Sequence, residues 1–299
     1  MTGNVADHPV PTQQRRLTRR SFLAGSTLAV AGGLALYSSE FARHEISITT
    51  RPLAIDNLPS VFHNFRIVQI SDIHFDEFTE PSFVHRVVEH VNSLNPDLVL
   101  LTGDFISLGP RSLKFAHGAM YHCAEVLRGI ACPQRFAVMG NHDAWVGAPI
   151  IRTILAEVNI PLLVDQHVPI ERKGDRLWLC GANDPITSKP NLDLAIPARP
   201  DGPVLLMCHA PDFADNVVAH RRGSLVDFML SGHTHGGQVR FPFLGALHLP
   251  EGGQKYVEGL FRFGRMQLYV NRGIGAVGLP FRLNCPPEIT LYTLQPSQA

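Results

Sequence analysis

The sequence predicts an α/β fold, with a helix-covered parallel sheet joined along one edge by a second sheet. Three observations predict it. First, short apolar runs alternate with helix-length segments from Phe65 to Met139, the rhythm of βαβ units. Second, each run leads into metal- or phosphate-binding residue types: Asp72-Ile73-His74, Gly103-Asp104 and Gly140-Asn141-His142-Asp143. Third, two later runs end the same way, Val204 to Cys208 in His209, and Val226 to Leu230 in Ser231-Gly232-His233-Thr234-His235-Gly236-Gly237-Gln238. Ligands of open α/β sheets bind at the carboxyl ends of the strands, so one shared site accounts for all five ends.

Residues 1–14 are polar, with two prolines, and read as disordered. Arg15-Arg16-Leu17-Thr18-Arg19-Arg20-Ser21-Phe22-Leu23 then precedes an apolar, small-residue run from Ala24 to Tyr37. Basic residues followed by such a run make the n- and h-regions of an export signal. Arg19-Arg20-Ser21-Phe22-Leu23 matches the twin-arginine pattern of an arginine pair, a polar residue and Phe-Leu. The run is short and glycine-rich for a membrane span. Ala29-Val30-Ala31, or the small residues between 35 and 39, offers a cleavage site. Left uncut, the segment would tether the chain to the membrane. These features divide the chain into a leader, 1–44, and one domain, 45–299.

The domain opens with the alternating run Glu45 to Thr49, an edge strand. Phe65 to Ile70 reads as a buried strand. Phe83 to Leu94 carries apolar residues at helical spacing and is stopped by Asn95-Pro96. Leu98–Leu101 is a strand, roughly Leu113–Leu127 a helix, and Phe136–Met139 a strand; another helix comes after Trp145. Pro161–Val164 and Leu177–Gly181 read as strands of the second sheet, with Gln267–Val270 and Glu288–Tyr292 in a strand-rich tail.

With 299 residues, 45% of them hydrophobic, and a formal net charge of zero, nothing favours non-specific nucleic-acid binding. Five cysteines without a C-x-x-C pair suggest neither a disulfide framework nor a sulfur zinc site. They read as buried small residues, with Cys208 beside His209 the one alternative nucleophile. Asp72, His74, Asp104, Asn141, His209, His233 and His235 offer only oxygen and nitrogen, which suits manganese, iron, zinc, cobalt or nickel. Seven such groups exceed the needs of one catalytic ion with an open position. They suit two ions sharing a carboxylate, the equipment for hydrolysis at phosphorus.

In this order the five blocks resemble the calcineurin-like metallophosphoesterase family, from about Ile67 to the end of the chain. Within it the chain is most similar to the exported bacterial group of YkuE and YaeI type, marked by Ser231 to Gln238, Asn271-Arg272-Gly273-Ile274-Gly275 and Asn284 to Ile289. The resemblance implies a four-layer sandwich, two mixed sheets flanked by helices, with the metal site at the carboxyl edge of the strands. It implies that Asp72, His74 and His235 hold one ion, that Asn141, His209 and His233 hold the other, and that Asp104 bridges them. His142 would contact the phosphate and protonate the leaving oxygen, with Asp143 orienting its imidazole. Ser107 stands where the family often has an acidic residue or asparagine.

The function implied is an exported hydrolase that cleaves a phosphodiester or pyrophosphate by attack of metal-bound hydroxide. Its substrate would be a phosphorylated small molecule or a lipid-linked phosphate of the cell envelope, and the twin-arginine translocase its partner during export. A phosphomonoesterase of the same family and a non-catalytic, envelope-tethered binding protein are the alternatives. A zinc peptidase lacks its H-E-x-x-H. Phe241 and Phe243, just after the histidine motif, read as core rather than as an apolar entrance.

Overall fold

The apolar leader folds as α1 (Arg19–Leu36), started by Thr18, whose hydroxyl oxygen accepts the Ser21 amide. A computed structural model describes residues 18–75, 78–109 and 112–297. The expected disorder of residues 1–14, and Arg15 to Leu17, lie outside the described residues. The helix does not stop at Tyr37: a π turn (Tyr37–Phe41) and a 3-10 turn (Ala42–His44) extend it. Arg19–His44 is, among the described residues, the one helix long and apolar enough to cross a membrane. The helix is thus longer than the apolar run Ala24 to Tyr37 read from the sequence, because the added turns carry it on through polar Ser38, Ser39 and Glu40.

The domain begins with β1 (Ser47–Ile55), β2 (Arg66–Ile70), α2 (Pro81–Ser93), β3 (Leu98–Leu101), α3 (Leu113–Leu127), β4 (Arg135–Ala137) and α4 (Asn141–Glu157). Then come β5 (Gln166–Arg172), β6 (Asp175–Gly181), α5 (Leu192–Ala195), β7 (Val204–Met207), α6 (Ala214–Ala219) and β8 (Phe228–Ser231). A small hairpin, β9 (Arg240–Phe241) and β10 (Gly245–Ala246), leads to β11 (Gly259–Phe263), β12 (Met266–Val270) and β13 (Glu288–Pro296). Sheet one runs β1-β13-β2-β3-β4, and sheet two runs β11-β12-β8-β7-β6-β5. Both are mixed: β13 is antiparallel to β2, and β11 and β5 are antiparallel to their neighbours.

Alternation along the strands assigns the layers. In β3, Val99 and Leu101 pack with α2, α3 and α4 on the outer face, while Leu98 and Leu100 face sheet two. In β7, Leu205 and Met207 complete that inter-sheet core, and Val204 and Leu206 pack with Ala214 and Val217 of α6. The result is helices, sheet, sheet, helices, the expected four layers. The inter-sheet layer turns polar towards the strands' carboxyl ends. There the Gln69 amide donates to Thr102 Oγ1 (2.9 Å) and to the Ser231 carbonyl (3.0 Å), and Tyr292 donates to Gln69 Oε1 (2.6 Å).

Two elements differ from the sequence reading. Pro161–Val164 is not a strand; Leu162 forms only an isolated bridge to Ala137. Pro161 has no N–H to donate, and the chain turns at Asp165 with φ 50°. The helix expected after Trp145 already begins at Asn141 and bends at Gly147 (φ 137°), so Asn141, His142 and Asp143 occupy its first turn.

All five cysteines are free and buried. Burial pushes the thiols of Cys123 and Cys208 well up, and that of Cys180 is raised too. Cys208 is thus a neutral thiol near neutral pH rather than a nucleophile. Native protein should show no thiol reactive towards a chromogenic disulfide within minutes, and all five cysteines should react after unfolding in guanidinium; a fast native thiol would contradict this packing.

Candidate dinuclear metal centre

The parallel strands β2, β3, β7 and β8 stop abruptly, and after three of them the chain turns at once through left-handed backbone. Asp72 (φ 51°), His74 (46°), Asp104 (55°), His233 (74°) and His235 (51°) all lie there. Such conformations cost a non-glycine residue about 1–2 kcal/mol each, and concentrated strain of this kind marks functional sites. The turns hold one another. Asp72 N–H donates to the Gly103 carbonyl (2.9 Å), His74 N–H to the Asp104 carbonyl (3.1 Å) and Gly232 N–H to the His209 carbonyl (3.0 Å). His233 N–H donates to the Asp72 carboxylate (2.9 Å), tying sheet two to sheet one. Two glycines permit this approach: a Cβ on Gly140 would lie 2.1 Å from Asp104 Oδ1, and one on Gly232 would lie 1.9 Å from Ser71 Oγ.

The ligand atoms fall into two buried triads, Asp72, His74, His235 and Asp104, His209, His233, with the atoms of each triad within 4.8 Å of one another. Asp104 Oδ2 lies between them, 3.2 Å from His209 Nε2 and 3.6 Å from His74 Nε2. Asn141 is buried, and its Oδ1 has no hydrogen-bond partner. A buried acceptor left unpaired is costly, and a cation is the partner this geometry suits. The donor set, all oxygen and nitrogen, also fits divalent ions.

Atoms behind the imidazoles fix their orientation. His209 Nδ1 donates to the Thr102 carbonyl (2.6 Å) and His233 Nε2 to the Glu251 carbonyl (2.7 Å). His209 Nε2 and His233 Nδ1 are left facing the site. His74 Nδ1 is 2.8 Å from Ser107 Oγ, which gives that serine a task the sequence does not disclose. Arg282 Nη2 stands 3.3 Å from His235 Nδ1.

Burial lowers the pKa of His74 and His233, and burial together with the charge of Arg282 lowers that of His235. These three are neutral near pH 7, as ligands must be. His209 differs: burial opposes its charge, but Asp104 at hydrogen-bond distance raises it to about 10. The same pairing outweighs burial at Asp104 and holds that carboxyl well below its usual range.

All seven predicted ligands therefore meet in one place, with His142 at their edge. The predicted role of Asp143 requires correction. Its carboxylate accepts from the amides of Asp104 (2.7 Å), Phe105 (2.9 Å) and Gly140 (3.0 Å). The amide that reaches His142 Nδ1 is that of Leu108, at 3.1 Å. Asp143 fastens the β3 turn to the β4 turn, because three backbone donors surround it. Burial and the charge of Asp104 push its carboxyl up to about 8, against those donors.

Sequence reasoning misses Arg282. It is fully buried and donates to the carbonyls of Arg272 (2.9 Å), Gly275 (2.6 Å) and Cys285 (3.0 Å). The available signal is an arginine set between Leu279-Pro280-Phe281 and Leu283. Phe241 and Phe243 are not core: Phe241 lines a cavity of about 920 Å³ above the ligands, and Phe243 is fully exposed.

Removing an orienting partner of a metal-binding histidine typically costs 10–100-fold in affinity. Ser107→Ala should therefore weaken metal binding about 10-fold or more in a chelator-competition titration, with little change in the melting temperature of the metal-free protein. Unchanged affinity would show that Ser107 has no such role.

Comparison with known proteins agrees with this geometry. The profile of the calcineurin-like phosphoesterases matches residues 65–237, the stretch that holds every ligand named above. The chain is 29% identical over 291 residues to the uncharacterized metallophosphoesterase YkuE of Bacillus subtilis, covering 94% of this chain and 99% of that one. It is 31% identical over 299 residues to the phosphodiesterase YaeI of Escherichia coli, covering 93% and 99%. It is also 28% identical over 285 residues to a transmembrane protein with metallophosphoesterase domain of Danio rerio, covering 90% of this chain and 62% of that one. This chain belongs to the calcineurin-like phosphoesterase family of metal-dependent phosphoester hydrolases.

Proposed function

We propose that the protein is an exported phosphodiesterase of the cell envelope. In this reading Asp72, His74 and His235 hold one divalent ion, Asn141, His209 and His233 hold a second, and Asp104 lies between them. The observation that carries the reading is the convergence of both triads on Asp104 beneath one open cavity. Likeness to the phosphodiesterase YaeI supports diester hydrolysis, and Arg19-Arg20-Ser21-Phe22-Leu23 supports twin-arginine export. The apolar cavity favours a lipid-linked phosphate as substrate.

Two divalent cations bound there would neutralise phosphate charge and activate water for attack on phosphorus. The rest falls to the chain. The Leu108 amide donates to His142 Nδ1, so in the neutral imidazole the proton sits on Nε2. That N–H is free to bond a phosphate oxygen and to donate a hydrogen bond to the leaving oxygen as negative charge grows on it. The proton donation expected from the sequence is closed to it in this arrangement, because a neutral imidazole that gave up its proton would be left as an anion. The His142 amide donates to Asp104 Oδ1 (3.0 Å), which keeps this imidazole next to the shared carboxylate. Asn141 contributes a neutral oxygen, which limits the negative charge opposing an anionic substrate. Asp143 positions Asp104 and does not touch the substrate.

The test is hydrolysis of bis-p-nitrophenyl phosphate by the full chain, with metal content measured on the same sample. Turnover with about two ions per chain is expected. His142→Ala should lower kcat about 10²–10³-fold with metal retained, and Asp104→Asn should lose both metal and turnover. Fully loaded protein that hydrolyses only monoesters would overturn the diesterase assignment. A wild-type chain that binds no divalent metal would overturn the enzyme and leave a tethered binding protein.

A further inference from the structure

The cavity above the metal ligands has a wall contributed by the leader. Ala31, Leu34, Ala35 and Ser38 line it, together with Phe241, Leu247 and the ligand histidines. We infer that α1 stays attached as a membrane span and that the cavity between it and the domain receives the acyl chain of an amphiphilic phosphoester drawn from the bilayer. This inference rests on the phosphodiesterase reading and adds to it the retained span, the seat of the acyl chain and the surface on which the enzyme works.

The first support is the position of the cavity along the helix. With a rise of about 1.5 Å per residue, Ala31 lies about 18 Å and Ser38 about 28 Å beyond Arg19. The arginines at positions 19 and 20 would stay on the cytoplasmic side, and a hydrocarbon core is about 30 Å thick. The cavity-lining part of α1 thus spans the outer leaflet up to its headgroups. Lipid phosphates sit at that level, within reach of the cavity floor.

The second support is the rim. Leu247 and Leu279 line the cavity yet are left exposed, Phe243 and Leu244 stand exposed on the hairpin that carries cavity-lining Phe241, and α1 itself buries none of its residues against the domain. Contiguous apolar surface of this kind marks membrane or partner contact. Its continuity with a cavity floored by phosphate-hydrolysing groups selects the lipid.

The third support is that the helix end is fastened. The Ser38 carbonyl accepts the Arg282 amide (3.1 Å). Arg43 and His44 both bond the Glu80 carboxylate, at 2.6 and 3.0 Å. Cleavage at 35–39 would remove the wall, and cleavage after Ala31 would leave it without its span. Hydrolysis in this pocket needs only water. Its oxygen bonds to phosphorus, the P–O bond to the leaving group breaks, and the leaving oxygen gains the proton.

The experiment compares methyl and dodecyl p-nitrophenyl phosphate, which share the leaving group, with the full chain in phosphatidylglycerol-containing nanodiscs. The dodecyl ester should show a kcat/KM at least tenfold higher. Leu34→Asp and Leu247→Asp should each remove most of that advantage while the methyl ester turns over unchanged. In parallel, Trp178→Phe leaves cavity-lining Trp145 as the only tryptophan, and lipids brominated on the acyl chain should quench its fluorescence by about half or more. Equal rates for the two esters would overturn the inference while leaving the phosphodiesterase intact. Hydrolysis of neither ester would overturn the phosphodiesterase; the membrane seat would then stand with a quenched Trp145 and fall with an unquenched one.

Discussion

Everything at the functional edge depends on holding buried carboxylates and imidazoles together in a gap between two sheets. Asp72, His74, Asp104, His209, His233 and His235 are each at most 5% exposed. Bringing charge into such a place is expensive unless it is paired. The Asp104–His209 pair provides part of the compensation within the protein, and the orphaned Asn141 oxygen shows where it is incomplete. A bound cation would complete it. The left-handed turns, the glycines at 140 and 232, and the Gln69 bridge between the sheet ends are the backbone and side-chain features that let so many polar groups pack this densely.

Most of this is legible in the sequence because the ligands are strand ends. A strand announces itself by a short apolar run, and the residue that terminates it is then placed by topology. The segments beyond the strand ends are harder to read. Asn141 to Asp143 carry the glycine-led composition of a loop, yet they form the first turn of α4. Sequence proximity pairs Asp143 with the imidazole beside it. Its real partners include amides of another strand's turn, and such pairings have no local sequence signature. Pro161–Val164 has the apolar content of a strand, but the proline removes a ladder donor. Ser107 and Arg282 act from loops, where position is set by tertiary packing rather than by periodicity.

The leader shows the complementary case. Its arginine pair and apolar run are evident, and a reading by composition ends the run at Tyr37. Hydrogen bonding does not respect that boundary: the π and 3-10 turns carry the helix to His44, where Arg43 and His44 meet Glu80. A segment that composition assigns to export thus reaches the domain as part of its packing, and its cavity-facing residues are distant in sequence from the loops they oppose.

The position of β13 governs the order in which this protein can be built. That strand comes after every other in sequence, yet it pairs between β1 and β2 inside sheet one. Until it arrives, β1 has no hydrogen-bonded neighbour. Arg282 and the turn that seats Gly273 against Asp72 also belong to this late part of the chain. Sheet one therefore closes by joining residues more than two hundred positions apart, a high-contact-order step expected to be slow. A ribosome-bound chain can shape β2 to β4 and their helices early. Its candidate metal edge takes final form only after synthesis has passed β13, so the sheet that carries β2 and β3 is completed by its last strand.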